Sequence, residues 1–250
     1  MLFLIIRLSL IALFGCYVCK DAHAADNLYR AQTIVTGQGE ANRTIGFKAC
    51  LEDVLIKVSG ALKLAGDPRL ETYKSRAGDF VHGYDYHDQM SGEPKRDEQG
   101  TRDRPYDLIV DFDQNRIDDL LSALDLKPWL SQRPVVGVSV EMEQGTRKYI
   151  VTSDEKQSDL QRESLFAAAA KRGMTIVLPS AASAQSGGDV ALIGHLTWSD
   201  RDLGWASEWQ LNVVGKPHHW QVRGVTFDEA FRRGIGGAAQ ILSGNGDPAR

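Results

Sequence analysis

The sequence predicts a mixed α and β protein, of the α+β or α/β class, built from two small domains. The first observation is that short segments with the alternating apolar residues of strands are interspersed with segments whose apolar residues have the spacing of helices. The second is a proline-flanked connection at residues 128–134, which divides this series in two. We therefore place an N-terminal domain at residues 25–127 and a C-terminal domain at residues 134–243, after a leader at residues 1–24.

The N-terminal domain is expected to have the order strand, helix, helix, strand, strand, helix. Gly60 follows the first helix as a C-cap, and Asp67 and Asp113 stand where N-caps of the next two helices belong. The charged, apolar-free residues 92–104 are typical of a solvated loop. The predicted elements are a strand at 28–36, helices at 41–58 and 67–81, strands at 82–90 and 106–112, and a helix at 114–124.

The C-terminal domain is expected to hold a mixed sheet with a three-strand antiparallel portion packed by helices. Residues 135–142 form a predominantly apolar run, which favours a buried central strand. Ser158 and Thr226 each have capping-box spacing, and the residues after 243 are expected to fray. The predicted elements are strands at 135–142, 148–152 and 175–178, a helix at 158–173, strands at 189–198, 205–214 and 219–224, and a helix at 226–242.

The register of the last three strands follows from the placement of their turns. A symmetric turn at 199–204 pairs Trp198 with Trp205 and therefore Gly194 with Trp209. A next turn at residues 215–218 would pair Trp209 with Gly224, so that two glycines would flank its indole. One face of these strands is then apolar and is expected to meet helices, and the glycines at 234–237 are expected to let the last helix approach closely.

The opposite face of the same strands is polar and is the candidate functional surface. His195 pairs with Glu208 across the strands, and Gln210 pairs with Arg223. These four residues form a possible docking face for a partner protein. The alternative interpretation is an ordinary solvated face.

The first residues of the chain have the features of an export signal. Arg7 precedes an apolar run of twelve residues, which is short of the ~20 residues that span a bilayer. Residues 22–24 (Ala-His-Ala) offer small residues at a cleavage site. We expect cleavage before Ala25 and a soluble periplasmic protein. The alternative is a lipoprotein, because residues 13–16 (Leu-Phe-Gly-Cys) are similar to a lipobox in which Cys16 is acylated.

Composition narrows the classes of function. Of the 250 residues, 42% are apolar and 25% are charged, which excludes collagen-like, mucin-like and wholly disordered chains. The 29 Lys and Arg residues against 33 Asp and Glu give a formal charge of −4. This mild acidity disfavours a nucleic-acid partner, because phosphate contacts require a basic surface.

A search for catalytic motifs predicts no catalytic residue, no cofactor and no metal. The sequence lacks a phosphate-binding loop, a His-Glu-x-x-His motif and a Gly-x-Ser-x-Gly motif. His82 and His87 would project from opposite faces of a strand, which disfavours a shared metal. Cys50, which remains after removal of the leader, lies in a helical apolar pattern and is expected to be buried. His218 is expected to be solvated.

Several segments, the most specific being residues 51–60 (Leu-Glu-Asp-Val-Leu-Ile-Lys-Val-Ser-Gly), resemble a known family. Shorter segments at 28–31, 133–136, 171–174 and 188–194 resemble it too. The family is the bacterial envelope family called domain of unknown function 2066. In element order the second half is also similar to the N-terminal domain of TolB, an analogy of architecture only.

These resemblances imply a non-catalytic periplasmic module that docks on another protein of an envelope assembly. The alternative is an envelope hydrolase or a metal-dependent enzyme of unrecognised type.

Overall fold

The computed structural model describes residues 28–92, 96–97, 100–101, 104–183 and 186–248. The predicted export signal at residues 1–24, including Cys16, lies outside these residues. Within them the protein is a mixed α+β structure, as the sequence predicts, with a three-stranded antiparallel sheet and a six-stranded mixed sheet. Among the described helices, none combines the length and the apolar character that crossing a membrane requires.

The first sheet belongs to the first half of the chain, and helices cover one of its faces. Its strands and helices are β1 (Arg30–Thr36), α1 (Glu40–Ser59), α2 (Glu71–Lys74), β2 (Val81–Asp88), β5 (Pro105–Phe112) and α3 (Gln114–Ala123). The strand order is β1-β5-β2, and both pairings are antiparallel. The charged segment before β5 also holds a short hairpin of β3 (Arg96–Asp97) and β4 (Gly100–Thr101).

The core of the first half lies between α1 and β5. Alternate residues of β5, such as Leu108 and Val110, are buried against the apolar side of α1, where Leu51 and Leu55 are fully buried. Cys50 is fully buried in the same cluster, as predicted. Burial, with a further contribution from Asp53, raises the pKa of its thiol to about 12, so the thiol stays neutral and unreactive at physiological pH.

The second sheet is mixed, and two helices cover one of its faces. Its elements are β6 (Val135–Gln144), β7 (Arg147–Ile150), α4 (Asp159–Lys171), β8 (Thr175–Val177), β9 (Val190–Ser199), β10 (Gly204–Val213), β11 (Lys216–Val225) and α5 (Phe227–Leu242). The strand order is β11-β10-β9-β6-β7, with β8 also beside β6. The central strand β6 runs parallel to β8 and β9, and the other pairs are antiparallel.

Trp209 lies at the centre of the covered face and is 1% exposed. It pairs with Gly194, as predicted. A Cβ atom on Gly194 would lie 2.5 Å from the indole, and one on Gly234 of α5 would lie 2.4 Å from it. Both positions therefore require glycine, which confirms that small residues let the last helix approach the sheet. The indole Nε1 donates to the hydroxyl of Ser207 at 3.1 Å.

The second hairpin of this sheet corrects the predicted register. The turn consists of Val214 and Gly215, whose φ angles are 48° and 77°, and not of residues 215–218. A two-residue turn with positive φ at both positions matches the twist of the flanking strands. Trp209 consequently pairs with Trp220, and their indoles stack at 6.5 Å. The predicted pairing of Trp209 with Gly224 is wrong.

Two helix predictions also differ from the structure. The segment from Asp67 begins with the predicted cap, but it breaks into two 3₁₀ turns and α2, because the backbone of Arg76 leaves helical geometry with a φ of −123° and a ψ of 34°. Ser158 does not cap α4, because its hydroxyl accepts the backbone N–H of Thr152 at 3.1 Å instead. At Thr226 the N-cap is confirmed, since its side chain accepts the backbone N–H of Glu229, but the Glu229 carboxylate accepts from Arg232 and Arg233 instead of completing a capping box.

The C-terminal tail is packed as far as residue 248, and the prediction that it frays from residue 244 is wrong for these residues. Asn245 Nδ2 donates to the carbonyl of Ser59 at 2.9 Å, and Pro248 is buried. The ring of His218 contacts the carboxylate of Asp247. The His218 side chain is therefore largely buried, and the prediction that it is solvated is wrong. These partners are distant in sequence, so local composition could not reveal them.

The hydrophobic residues of the two halves form two separate clusters. One cluster draws on residues 29–126 and the other on residues 136–241. That residues 25–127 and 134–243 are separable domains stays a prediction.

Candidate functional site

The four predicted docking residues all lie on the side of the second sheet opposite to α4 and α5. His195 is on β9, Glu208 and Gln210 are on β10, and Arg223 is on β11. His195 is opposite Glu208 in the register, as predicted. Glu208 and Arg223 are exposed, whereas His195 and Gln210 are half-buried. We call this side of β6, β7, β9, β10 and β11 the open face.

The corrected hairpin register changes one of the predicted pairs on the open face. Gln210 lies opposite His219 and not opposite Arg223. Arg223 lies within an irregularity in the pairing, and its guanidinium donates to the side chain of Gln221 at 3.5 Å. The structure therefore brings His195 and Glu208 together and separates Gln210 from Arg223.

The nearest charged partners of His195 come from β6, a strand that the sequence argument did not include. The ring Nδ1 lies 2.8 Å from Glu141 Oε1, and Lys148 Nζ of β7 lies 2.9 Å from the same oxygen. The hydrogen bond from Lys148 is the main cause that lowers the pKa of the Glu141 carboxyl, and His195 adds to it. The parallel pairing of β6 with β9 brings Glu141 beside His195. No local sequence pattern predicts this contact.

An apolar residue lies beside this ionic group. Ile193 of β9 is 48% exposed, and its neighbours in the register are Ser139 and Gln210. The segment 186–188 crosses the open face only at the start of β6, where a Cβ on Gly137 would meet the carbonyl of Gly187 at 2.2 Å. Beyond that point the outward side chains of β6 and β9 are half-buried or exposed.

A second candidate site is a groove of about 1100 Å³ between the two halves of the chain. One wall is the C-terminal part of α1 with the turn at Leu62 and Lys63, and the other is the outer edge of β11 with α5. Gln240 of α5 ties the walls together, because its Oε1 accepts the backbone N–H of Lys63 at 3.0 Å and its Nε2 donates to the carbonyl of Asp247 at 2.9 Å. Sequence reasoning did not find this groove.

The groove carries an excess of positive charge, although the whole chain has a formal charge of −4. Its lining contains six cationic residues and four carboxylates, which gives a local excess of two positive charges. The cations are Lys63, Lys171, Arg172, Arg223, Arg232 and Arg233, and the carboxylates are Glu52, Asp53, Glu229 and Asp247.

Arg172 is the buried cation of the groove. The residue is 7% exposed, and its Nη1 atom has no hydrogen-bond acceptor among the described residues, although it forms an ion pair with Asp53 at 3.7 Å. Burial lowers the pKa of its guanidinium. A buried guanidinium donor without a hydrogen-bond acceptor is costly, and the charge of the nearby Asp53 carboxylate offsets part of this cost.

Arg133 holds the two halves together beside this groove. Its guanidinium donates to the carbonyls of Lys57 on α1 and Arg172 after α4, at 2.7 and 2.6 Å, and lies over the ring of Trp129 at 4.3 Å. Burial lowers the pKa of Arg133 to about 10. Burial and the nearby Arg133 charge also lower the pKa of Lys57 to about 8, against an opposing contribution from Asp53. The junction is thus a buried cluster of cations.

Comparison with known families corrects the predicted family. Residues 22–130 match the model of a different domain of unknown function (DUF8605), and this match covers less than half of the chain. The resemblance to domain of unknown function 2066 is wrong, and no similarity to TolB is shown. Residues 51–60 form the buried end of α1 and its glycine cap, a pattern that many helices packed on sheets share. No curated protein and no solved structure matches the chain.

Proposed function

We propose that the protein is exported and acts as a non-catalytic module that binds another protein of the cell envelope through the open face. The observation that carries this proposal is the parallel pair β6 and β9, whose outward side chains are half-buried or exposed. Parallel strands are normally covered on both faces, because their crossovers place helices there. Here α4 and α5 cover one face, and a partner protein would supply the second layer.

The chemistry of the open face supports a protein partner. Ile193 provides an exposed apolar centre, and Gln210, His195 and Glu208 surround it with polar groups. Interfaces between proteins commonly have this arrangement of an apolar centre and a polar rim. The contacts of Glu141 with Lys148 and His195 already offset part of the cost of removing these charges from water.

The docking proposal is tested by site-specific crosslinking in living cells. A photoreactive amino acid replaces Gln210 on the open face, and the matched control replaces Leu160 on α4, which is 68% exposed. We expect an adduct with one envelope protein from position 210 and none from position 160, identified by mass spectrometry. Ile193→Asp should abolish this adduct, whereas Leu160→Asp should leave it unchanged. Equal adducts from both positions, or an adduct insensitive to Ile193→Asp, would contradict the proposal.

Export is tested by the mass of the mature protein. Cleavage after residues 22–24 gives a chain that begins at Ala25 and is released by osmotic shock. A diacylglycerol-modified chain that begins at Cys16 would instead establish the lipoprotein alternative.

A further inference from the structure

We infer that the groove between the two halves binds an acidic, extended segment of a partner protein, which adds as a new strand to the outer edge of β11. This site goes beyond the function proposed for the open face, with which it shares only Gln221 and Arg223 on the edge strand β11. Three observations carry the inference: the unpaired edge of β11, the protection of the other strand edges, and the charge of the groove.

The turn of the second hairpin determines which backbone groups of β11 face the groove. Val213 and Lys216 close the two-residue turn and form a hydrogen-bonded pair, and such pairs alternate along an antiparallel ladder. Pro217, His219 and Gln221 therefore direct their backbone groups away from β10. Pro217 has no N–H to leave unpaired there, which is where edge strands tolerate proline. In the described part of the chain, no hydrogen bond reaches the N–H groups of His219 and Gln221.

Other described strand edges are short or are bonded in part by side chains. At β1, Lys57 Nζ donates to the carbonyl of Arg30 at 2.7 Å, and the amide of Asn42 donates to the carbonyl of Thr36. At β2, the Asp85 carboxylate accepts the N–H of Tyr86 at 2.7 Å. The edge strands β7 and β8 have four and three residues. By contrast, β11 has ten residues, and residues 220–223 line the groove. An unprotected edge of this length is suited to strand addition.

The charge of the groove selects an acidic segment. Arg223 lies on the edge strand itself and Lys63 on the opposite wall, and both are exposed. The buried guanidinium of Arg172, whose Nη1 lies 3.7 Å from the Asp53 carboxylate, adds a further positive charge to the lining. Glutamate or aspartate side chains on an added strand complement these cations.

The test measures binding of a short, capped, fluorescent peptide in which glutamate and valine alternate. We expect saturable binding and slower hydrogen exchange at the N–H groups of His219 and Gln221. Gln221→Pro removes one edge N–H and should abolish that binding, whereas Gln221→Ala keeps the N–H and should bind normally. The double variant Lys63→Glu and Arg223→Glu should weaken binding about tenfold or more. The matched control Lys156→Glu changes an exposed residue outside the groove and should have no effect.

Control peptides separate strand addition from simple charge attraction. A peptide with lysine in place of glutamate, and one with N-methylated backbone at alternate residues, should both fail to bind. Binding of the N-methylated peptide, or binding without protection of β11, would overturn strand addition. Dimerisation of the protein through β11, detected by sedimentation and unaffected by the peptide, would show that a second copy occupies the edge. Since Ile193→Asp leaves the groove intact, failure at the groove is distinguishable from failure at the open face.

Discussion

The two faces of the six-stranded sheet use the same strands for different purposes. On the covered face, Trp209 fills the space between Gly194 and Gly234 so closely that neither glycine has room for a methyl group. On the open face, His195 and Lys148 converge on Glu141 within a hydrogen-bond distance but remain in contact with water. The covered face therefore supplies stability through shape, and the open face contributes little stability and is free to recognise a partner.

The junction between the halves is intermediate between these two faces. It is buried like the covered face, yet Lys57, Arg133 and Arg172 give it the charge of a surface. Arg133 satisfies two helix-end carbonyls that would otherwise lack donors. Burial does not by itself make a region apolar, provided that its charges have hydrogen-bond partners.

Removal of the Trp209 indole from the covered face should have the largest effect on the stability of the protein. Trp209→Ala leaves a cavity between the sheet and α5 and should lower the free energy of unfolding by about 3–5 kcal/mol. Thermal or urea unfolding followed by circular dichroism measures the change. A variant as stable as the parent would show that the covered face does not depend on this side chain.

Addition of a methyl group to the covered face should have the next largest effect on stability. Gly234→Ala places a Cβ atom 2.4 Å from the Trp209 indole, so the helix or the ring must shift. We expect a loss of about 1–3 kcal/mol in the free energy of unfolding, measured by urea titration. The matched control is Gly187→Ala in an exposed loop, where a Cβ would meet no atom within 4 Å, and it should unfold like the parent.

A pH titration probes the charged junction. The pKa of Lys57 is about 8 in the folded protein, below its ordinary value of 10.5, so the unfolded chain binds more protons between these values. Stability should therefore rise from pH 8 upward, by at most about 1.4 kcal/mol per pH unit. Cys50 acts in the opposite direction above pH 9, because its pKa is raised from 9.0 to about 12.

The window between pH 8 and pH 9 consequently isolates Lys57. Urea unfolding of the parent and of Lys57→Met across this window supplies the comparison. The parent should gain stability with pH, and the variant should lack this gain. If stability changed with pH by the same amount in both proteins, the lowered pKa of a buried Lys57 would be contradicted.

Changes on the open face should have the smallest effect on stability. His195→Ala combined with Glu208→Ala should alter the free energy of unfolding by less than about 1 kcal/mol, because both side chains keep contact with water. Calorimetry measures this change, and the adduct from position 210 reports partner binding in the same variant. A loss comparable to that of Trp209→Ala would show that the two faces do not differ as described.

Local sequence patterns determined the element order and the face of each strand. Period-two alternation placed Trp209 inside and Glu208 outside, and helical spacing with caps placed α1 and α5, because these features depend on residues close in the chain. The register of the first hairpin followed from its turn in the same way. The second hairpin did not, because Val214 is an unusual residue at a positive φ and the sequence favours a turn that begins at Gly215.

Only the tertiary structure decided which distant groups meet. Glu141 reaches His195 because β6 pairs in parallel with β9, and Arg133 reaches Lys57 and Arg172 because the two halves pack together. The groove and its positive charge come from α1, β11 and α5, which are far apart in the sequence. The hydrophobic periodicity of the sequence indicates which side of a helix or strand faces the core. Contacts between elements that are remote in sequence depend on how the whole chain packs.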